Sequence, residues 1–214
     1  FAGIMEEDDP VMMDSLNFIP DQHWYSMDLD IDERVIDKAK KFCNQVFPGK
    51  NENVKKKLIG YPEAVFESHD TESGEAVYGD MLRQQVLDFD KKFEKKPDWF
   101  NRMEEKLETY INKVVAGKNR MEIKHWAILH SFPGCEKQED HSDVPDPEFP
   151  CVAGILSLDD STSLYISKED ARKRSVMKKK KIYKGHAIIW RADFVHAGSE
   201  YAEANSKNYF KAAP

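Results

Sequence analysis

The sequence predicts an α+β protein with its helices ahead of its strands, the segregated arrangement in which helices cover one face of a sheet. Apolar residues recur at helical spacing before Gly117 and at every second position after it. Turn-forming clusters then divide the second half into short runs: Pro133–Gly134, Pro145–Asp146–Pro147, Asp159–Asp160–Ser161, Lys184–Gly185 and Ala204–Asn205–Ser206. Short strands in succession predict an antiparallel sandwich or jelly roll. No internal repeat is present.

Residues 1–31 are acidic and mixed, with small apolar groups at Val11–Met12–Met13 and Phe18–Ile19, and read as extended or irregular. A helix is predicted over 33–47. Asp32 supplies its cap, Val35, Ile36, Ala39, Phe42, Cys43 and Val46 form its apolar face, and Pro48–Gly49 stops it. Residues 49–77 are polar and loop-like apart from Ala64–Val65–Phe66. A second helix is predicted over 80–95 from Met81, Leu82, Val86, Phe89 and Phe93. A third is predicted over 98–116 from Trp99, Met103, Leu107, Tyr110, Ile111 and Val114, opened by Pro97 and closed by Gly117. Strands are predicted over 121–132, 151–158, 163–167, 182–190 and 207–212. The run Lys178–Lys181 falls between two of these. It reads as a solvated hairpin or loop, the alternative being a docking patch for an anionic substrate or partner. The expected organisation is one integrated domain, a helical region 1–120 packed on a strand-rich core 121–214.

A chain of 214 residues buries a sizeable core without covalent staples. Its net charge of −7 makes it a poor candidate for coating duplex nucleic acid, because phosphate repulsion opposes the encounter. The cysteines, Cys43, Cys135 and Cys151, are odd in number and form no C-x-x-C pair, which argues against a disulfide framework or zinc ribbon. No Asn-x-Ser/Thr sequon, signal-peptide pattern or membrane-length apolar run appears. The chain opens on Phe1, which reads as a trimmed start, and the expected setting is intracellular, cytoplasmic or nuclear.

His141-Ser142-Asp143 is the only His-x-Asp in the chain. It lies in a loop-like stretch, Gln138-Glu139-Asp140-His141, after a strand ending in Ser131-Phe132-Pro133-Gly134. In extended backbone residues i and i+2 point to one side, so His141 and Asp143 offer an imidazole nitrogen and a carboxylate oxygen to one ion. Further on, Gly185 to Trp190 reads as a glycine turn and a buried strand, and Arg191 to Gly198 as a second turn leading to His196 with small residues after it. Two histidines and one carboxylate leave octahedral positions open. That set suits iron(II) and O₂ chemistry better than structural zinc, which prefers four closed ligands. Each histidine taken alone also fits a satisfied polar residue near the core; the three together favour the metal reading.

With these segments, and with Gly154-Ile155-Leu156-Ser157-Leu158, the sequence resembles the iron(II)/2-oxoglutarate-dependent dioxygenases over residues 121–212. The resemblance implies a double-stranded β-helix (jelly roll) core, with the helices of 33–47, 80–95 and 98–116 buttressing its larger sheet. The family's His-x-Asp…His triad maps onto His141, Asp143 and His196. A basic residue beyond the distal histidine holds the far carboxylate of 2-oxoglutarate in that family, which maps onto Lys207, with Lys211 the competitor and Tyr209 a further donor between them. Most members carry Arg there, and prolyl-4-hydroxylase-like members carry Lys, a point charge instead of a bidentate fork. The implied cofactors are Fe(II), 2-oxoglutarate as co-substrate, and O₂. Three features depart from the pattern: His186 after Gly185, read as a structural histidine at a turn or a neighbour of the metal; the charged insert 168–181; and the end at Pro214.

The implied activity is hydroxylation of a protein side chain or small metabolite, with decarboxylation of 2-oxoglutarate to succinate. Asp143, a carboxylate and not a small residue, points to hydroxylation over halogenation. Substrate contacts are expected from 49–79, from the 144–150 loop and from Trp190–Arg191. The rival readings are a cupin-type metalloenzyme that does not use 2-oxoglutarate, a non-enzymatic jelly-roll interaction module and, last, a zinc hydrolase, for which no general base is evident.

Overall fold

A computed structural model describes residues 5–6, 24–46, 65–69, 76–115, 120–143, 151–160, 162–167, 177–201 and 207–211. For residues 5–6, 65–69, 207–211 and much of 76–87 it describes the backbone alone. In chain order the elements are β1 (Met5–Glu6), β2 (Trp24–Asp28), α1 (Glu33–Val46), β3 (Val65–His69), β4 (Ala76–Leu87), a 3₁₀ turn (Phe89–Lys92), α2 (Asp98–Val114), β5 (Glu122–Ile123), β6 (Ala127–Ser131), β7 (Val152–Ser157), β8 (Thr162–Ser167), β9 (Met177–Ile182), β10 (His186–Arg191), β11 (His196–Gly198) and β12 (Lys207–Lys211).

Both helices predicted with caps form as expected. At the start of α1 the Asp32 carboxylate accepts the Arg34 N–H at 2.8 Å, and the Asp32 carbonyl accepts the Val35 N–H at 2.8 Å. One face of α1 buries Val35, Ile36, Ala39, Cys43 and Val46. Pro97 opens α2, which buries Phe100, Met103, Leu107, Tyr110 and Ile111. In the last turn of α2 the Asn112 side chain accepts the Met121 N–H at 2.8 Å and donates to the Met121 carbonyl at 2.9 Å, turning the chain back toward the sheet. The predicted stops at Pro48–Gly49 and Gly117 lie outside the described residues.

The expected helix over 80–95 is not a helix. Residues 76–87 form strand β4, and only Phe89–Lys92 winds into a 3₁₀ turn. β4 is held by β6, with Gln85 opposite Leu129, Val86 opposite Ile128 and Leu87 opposite Ala127. Tertiary pairing overrides a local pattern too short to separate helix from strand. Period-two geometry also accounts for Arg83 and Val86, an odd number of residues apart and both buried, lying on opposite faces of the strand. The lysine run is likewise not a loop: Met177–Ile182 is β9, paired along its whole length with β8. Within residues 1–31, read as extended or irregular, Trp24–Asp28 is the extended strand β2, paired with β10 from Trp24 opposite Trp190 to Asp28 opposite His186.

The described strands form two antiparallel sheets. In the larger, β2-β10-β7-β12-β6-β4-β3 lie side by side, with β1 and β5 attached at β7. The smaller runs β11-β8-β9. Strands from before residue 120 are thus hydrogen-bonded into the same sheet as strands from after it. A layer of buried apolar residues between the helices and the larger sheet includes Ile36, Phe89, Phe100, Met103, Ile111, Trp126, Ile128, Leu156 and Ile189. A second layer unites the two sheets: Leu129, Ala153, Ile155, Ile188 and Trp190 from the larger, Leu164, Ile166 and Ile182 from the smaller. The larger sheet is therefore buried on both faces. Where β7 and β10 pair, the backbones leave no room for a side chain: a Cβ on Gly154 would stand 2.9 Å from the Ile188 carbonyl oxygen.

Candidate metal centre

β11 is three residues long and holds one of the predicted ligands, His196. Its free side is closed by His141. The His141 N–H donates to the His196 carbonyl at 3.0 Å, and the His196 N–H donates to the His141 carbonyl at 2.8 Å. Residues paired this way across an antiparallel ladder project to the same face. Asp143, two residues beyond His141, projects to that face as well. The three side chains predicted from sequence are thus brought together by one cross-strand pair and one i, i+2 step.

Their ligand atoms all lie within 4.8 Å of one another. His196 Nε2 is 3.4 Å from Asp143 Oδ2, and His141 Nε2 is 3.9 Å from Asp143 Oδ1. The imidazole rings are 4.6 Å apart. His196 is fully buried and the Asp143 side chain is 4% exposed. The orientation of both rings is fixed from behind. His141 Nδ1 lies 2.8 Å from the Glu139 carbonyl and His196 Nδ1 lies 3.1 Å from the Phe194 carbonyl. A carbonyl only accepts, so each Nδ1 is the donor and each Nε2 faces Asp143. This is the outer-shell arrangement that orients metal-bound histidines. Two imidazole nitrogens and a carboxylate converging on one point fit a divalent transition metal.

Two buried residues to which the sequence alone assigned no role hold the ligand segments together. Arg83 on β4 is fully buried. Its Nη2 donates to the Glu136 carbonyl at 3.0 Å and to the Ser199 carbonyl at 2.9 Å, and its Nε donates to Ser131 Oγ at 3.2 Å. One guanidinium therefore ties the strand before the His141 loop, that loop itself and the segment after His196. Gln138 does the same locally: its N–H donates to the Gly198 carbonyl at 3.0 Å and its Oε1 accepts the Gly198 N–H at 2.8 Å. Gly198 is required there, since a Cβ would collide with the Gln138 amide and stand 2.9 Å from Arg83 Nη1. Only Gln138 had a sequence signal, as the first residue of the stretch that leads to the triad.

Trp190 is buried with its ring centroid 4.7 Å from that of His196, forming one wall of the centre. Arg191 faces away from it and is held by Asp193 in a two-bond pair of 3.1 and 2.6 Å, which fixes the turn into β11. Nearby, burial raises the Glu200 carboxyl, but the Lys179 ammonium at 2.6 Å outweighs it and holds the group below its ordinary range. His186 is not a neighbour of the metal centre. It starts β10, at the end opposite Trp190, stacked edge-on against Tyr183 and 3.3 Å from the Lys184 carbonyl. Lys207, Tyr209 and Lys211 all lie on β12, between β6 and β7, where Lys207 is opposite Ser131, Tyr209 opposite Leu129 and Ser157, and Lys211 opposite Ile155. Their side chains are outside the described ones, as is the predicted 144–150 substrate loop.

No family model matches the chain, and no curated protein matches it. Several solved structures share its fold. The non-heme alpha ketoglutarate dependent carbocyclase SnoK from nogalamycin biosynthesis aligns with a TM-score of 0.61 at 10% identity, over 95% of this chain and 87% of its own. The epimerase SnoN, solved in complex with Fe3+, alpha ketoglutarate and nogalamycin RO, aligns at 0.57 and 9% identity over 95% and 83%. A Pseudomonas putida prolyl-4-hydroxylase aligns at 0.53 and 11% identity over 88% and 90%. At these identities the likeness is one of fold, which this chain shares with all three proteins.

Proposed function

We propose that this protein is an iron(II)- and 2-oxoglutarate-dependent oxygenase of the hydroxylase type, built on a double-stranded β-helix core and acting on a protein side chain or small metabolite. The observation that carries the reading is the convergence of His141 Nε2, Asp143 and His196 Nε2, with both Nδ1 atoms tied to backbone carbonyls. Iron(II) with 2-oxoglutarate and O₂ supplies oxidative decarboxylation to succinate and the oxidising power to attack a substrate C–H bond. The chain's residues do the rest. His141, Asp143 and His196 would hold the metal. Trp190 walls the site and, with the apolar layer between the sheets, excludes water. Arg83 and Gln138 keep the two ligand segments in register.

Lys207 is proposed to hold the far carboxylate of 2-oxoglutarate, with Tyr209 and Lys211 as neighbours. Supporting this, 207, 209 and 211 share register rows with Leu129 and Ile155, which belong to the layer between the sheets.

Anaerobic titration of the protein with iron(II) and 2-oxoglutarate tests the proposal. The weak visible charge-transfer band of an iron–2-oxoglutarate chelate is expected in the wild type and lost in His141→Ala. Lys207→Ala is expected to keep iron and to raise the 2-oxoglutarate concentration needed for half-saturation by about 10- to 100-fold, the worth of one charge-assisted hydrogen bond. An unchanged 2-oxoglutarate dependence in Lys207→Ala would move the anchor to Lys211 or favour a cupin-type enzyme. Absence of the band, with metal content indifferent to His141→Ala, would favour an interaction module.

A further inference from the structure

The lysines of β9 divide between two faces. Lys179 and Lys181 point to the outside, where the Lys179 ammonium bonds Glu200 at 2.6 Å and the Lys181 ammonium lies over the Tyr183 ring. Lys178 and Lys180 are on the other face, which they share with Ile182, a member of the buried layer between the sheets. The registers carry that face directly to the metal centre. Lys178 pairs with Ile166, which pairs with His196; Lys180 pairs with Leu164, which pairs with Gly198. Neighbouring strands lie about 4.8 Å apart, so the Lys178 and His196 backbones are about 10 Å apart across β8, on one face of one sheet.

A second path meets the same lysines from the larger sheet. Trp190 packs on His196 at 4.7 Å and is the cross-strand partner of Trp24. The Lys180 ammonium sits over the Trp24 ring, 4.2 Å from its centroid. A wall of two indoles thus leads from the metal ligands to a half-buried cation, with exposed Lys178 beside it. Lysines that only guard an edge strand against pairing have no need to face this space. In a chain of net charge −7, cations concentrated here form a local positive site beside the centre.

We propose that Lys178 and Lys180, over Trp24, bind an anionic group, carboxylate or phosphate, of the molecule oxidised at the His141–Asp143–His196 centre. Oxidation of that molecule rests on the oxygenase reading; the anion site does not.

The test uses the full chain without added metal, in chelator, so that it is independent of turnover. Inorganic pyrophosphate and tricarballylate, a tricarboxylate, are titrated by calorimetry and by tryptophan fluorescence, with Trp24→Phe assigning the optical signal. At least one probe is expected to bind and to perturb Trp24. The Lys178→Gln/Lys180→Gln double variant is expected to bind it about tenfold more weakly, the combined worth of two solvent-screened charges. Lys38→Gln/Lys41→Gln, an equal change of charge on exposed α1, is expected to bind as the wild type does. The tighter probe distinguishes a phosphate from a carboxylate substrate. Wild-type affinity in Lys178→Gln/Lys180→Gln, an equal loss in Lys38→Gln/Lys41→Gln, or no binding of either probe would overturn the proposal. None of these outcomes depends on whether the triad holds iron.

Discussion

Replacing Asp143 with alanine is expected to reduce affinity for iron(II) by at least about 100-fold and to abolish 2-oxoglutarate turnover. Loss of a mere outer-shell partner of a metal ligand already costs about 10- to 100-fold, and Asp143 is the only anionic member of the triad. Without it two neutral imidazoles face the metal, with no charge to offset the ion's. The metal-free protein should change little, because the Asp143 side chain points into the centre and not into the apolar layers. Thermal unfolding separates the two effects. Wild-type protein should gain stability on adding iron(II), since a ligand that binds only the folded state stabilises it by mass action. Asp143→Ala should start from a similar midpoint and gain almost nothing. A variant that binds iron as the wild type does would place the metal elsewhere.

The second large effect is expected at Arg83, which touches no ligand atom. Substitution by methionine keeps much of the side chain's apolar length but removes donors to the Glu136 and Ser199 carbonyls and to Ser131 Oγ. Leaving buried acceptors unsatisfied costs about 1–3 kcal/mol each, so a loss of about 3–5 kcal/mol is expected. For a chain of this length that lowers the melting midpoint by about 10 °C. Because the guanidinium clamps the segments on either side of the ligands, iron affinity should fall in proportion while the pH dependence of binding keeps its shape. Arg83→Lys should recover part of the stability, since an ammonium still reaches a carbonyl but cannot serve several at fixed angles. Chemical denaturation and iron titration on the two variants check this. Equal stability in Arg83→Met and the wild type would show that the clamp is dispensable.

These two residues also mark what was legible in the sequence. The gathering of Asp143 with His141 was legible because a metal site of the proposed kind needs residue types, spacing and extended backbone that one strand-like segment displays. Arg83 was not, because its partners at 131, 136 and 199 are gathered only by the finished sheet, and within 80–95 a charged residue reads as the solvent side of a helix. The same locality decided the elements. Helices α1 and α2 carry their caps and apolar faces within a few turns, and both appeared where expected. β4 mimicked a helix because Val86, Phe89 and Phe93 fall at helical spacing across a strand end and a 3₁₀ turn. Its true determinant, β6, lies some forty residues on. β2 pairs with β10 across about 160 residues, and β9 is a strand only because β8 supplies every partner. Four consecutive lysines have no alternation to reveal it.

The central claim is that His141, Asp143 and His196 hold one iron to which 2-oxoglutarate adds. Its most direct test is a crystal structure of the protein grown anaerobically with iron(II) and 2-oxoglutarate. The account predicts one ion per chain with His141 Nε2, an Asp143 oxygen and His196 Nε2 each about 2.0–2.2 Å away, 2-oxoglutarate chelating that ion, and its far carboxylate at Lys207. An ion bound by other residues, or a triad closed on itself with 2-oxoglutarate absent under saturating conditions, would contradict it.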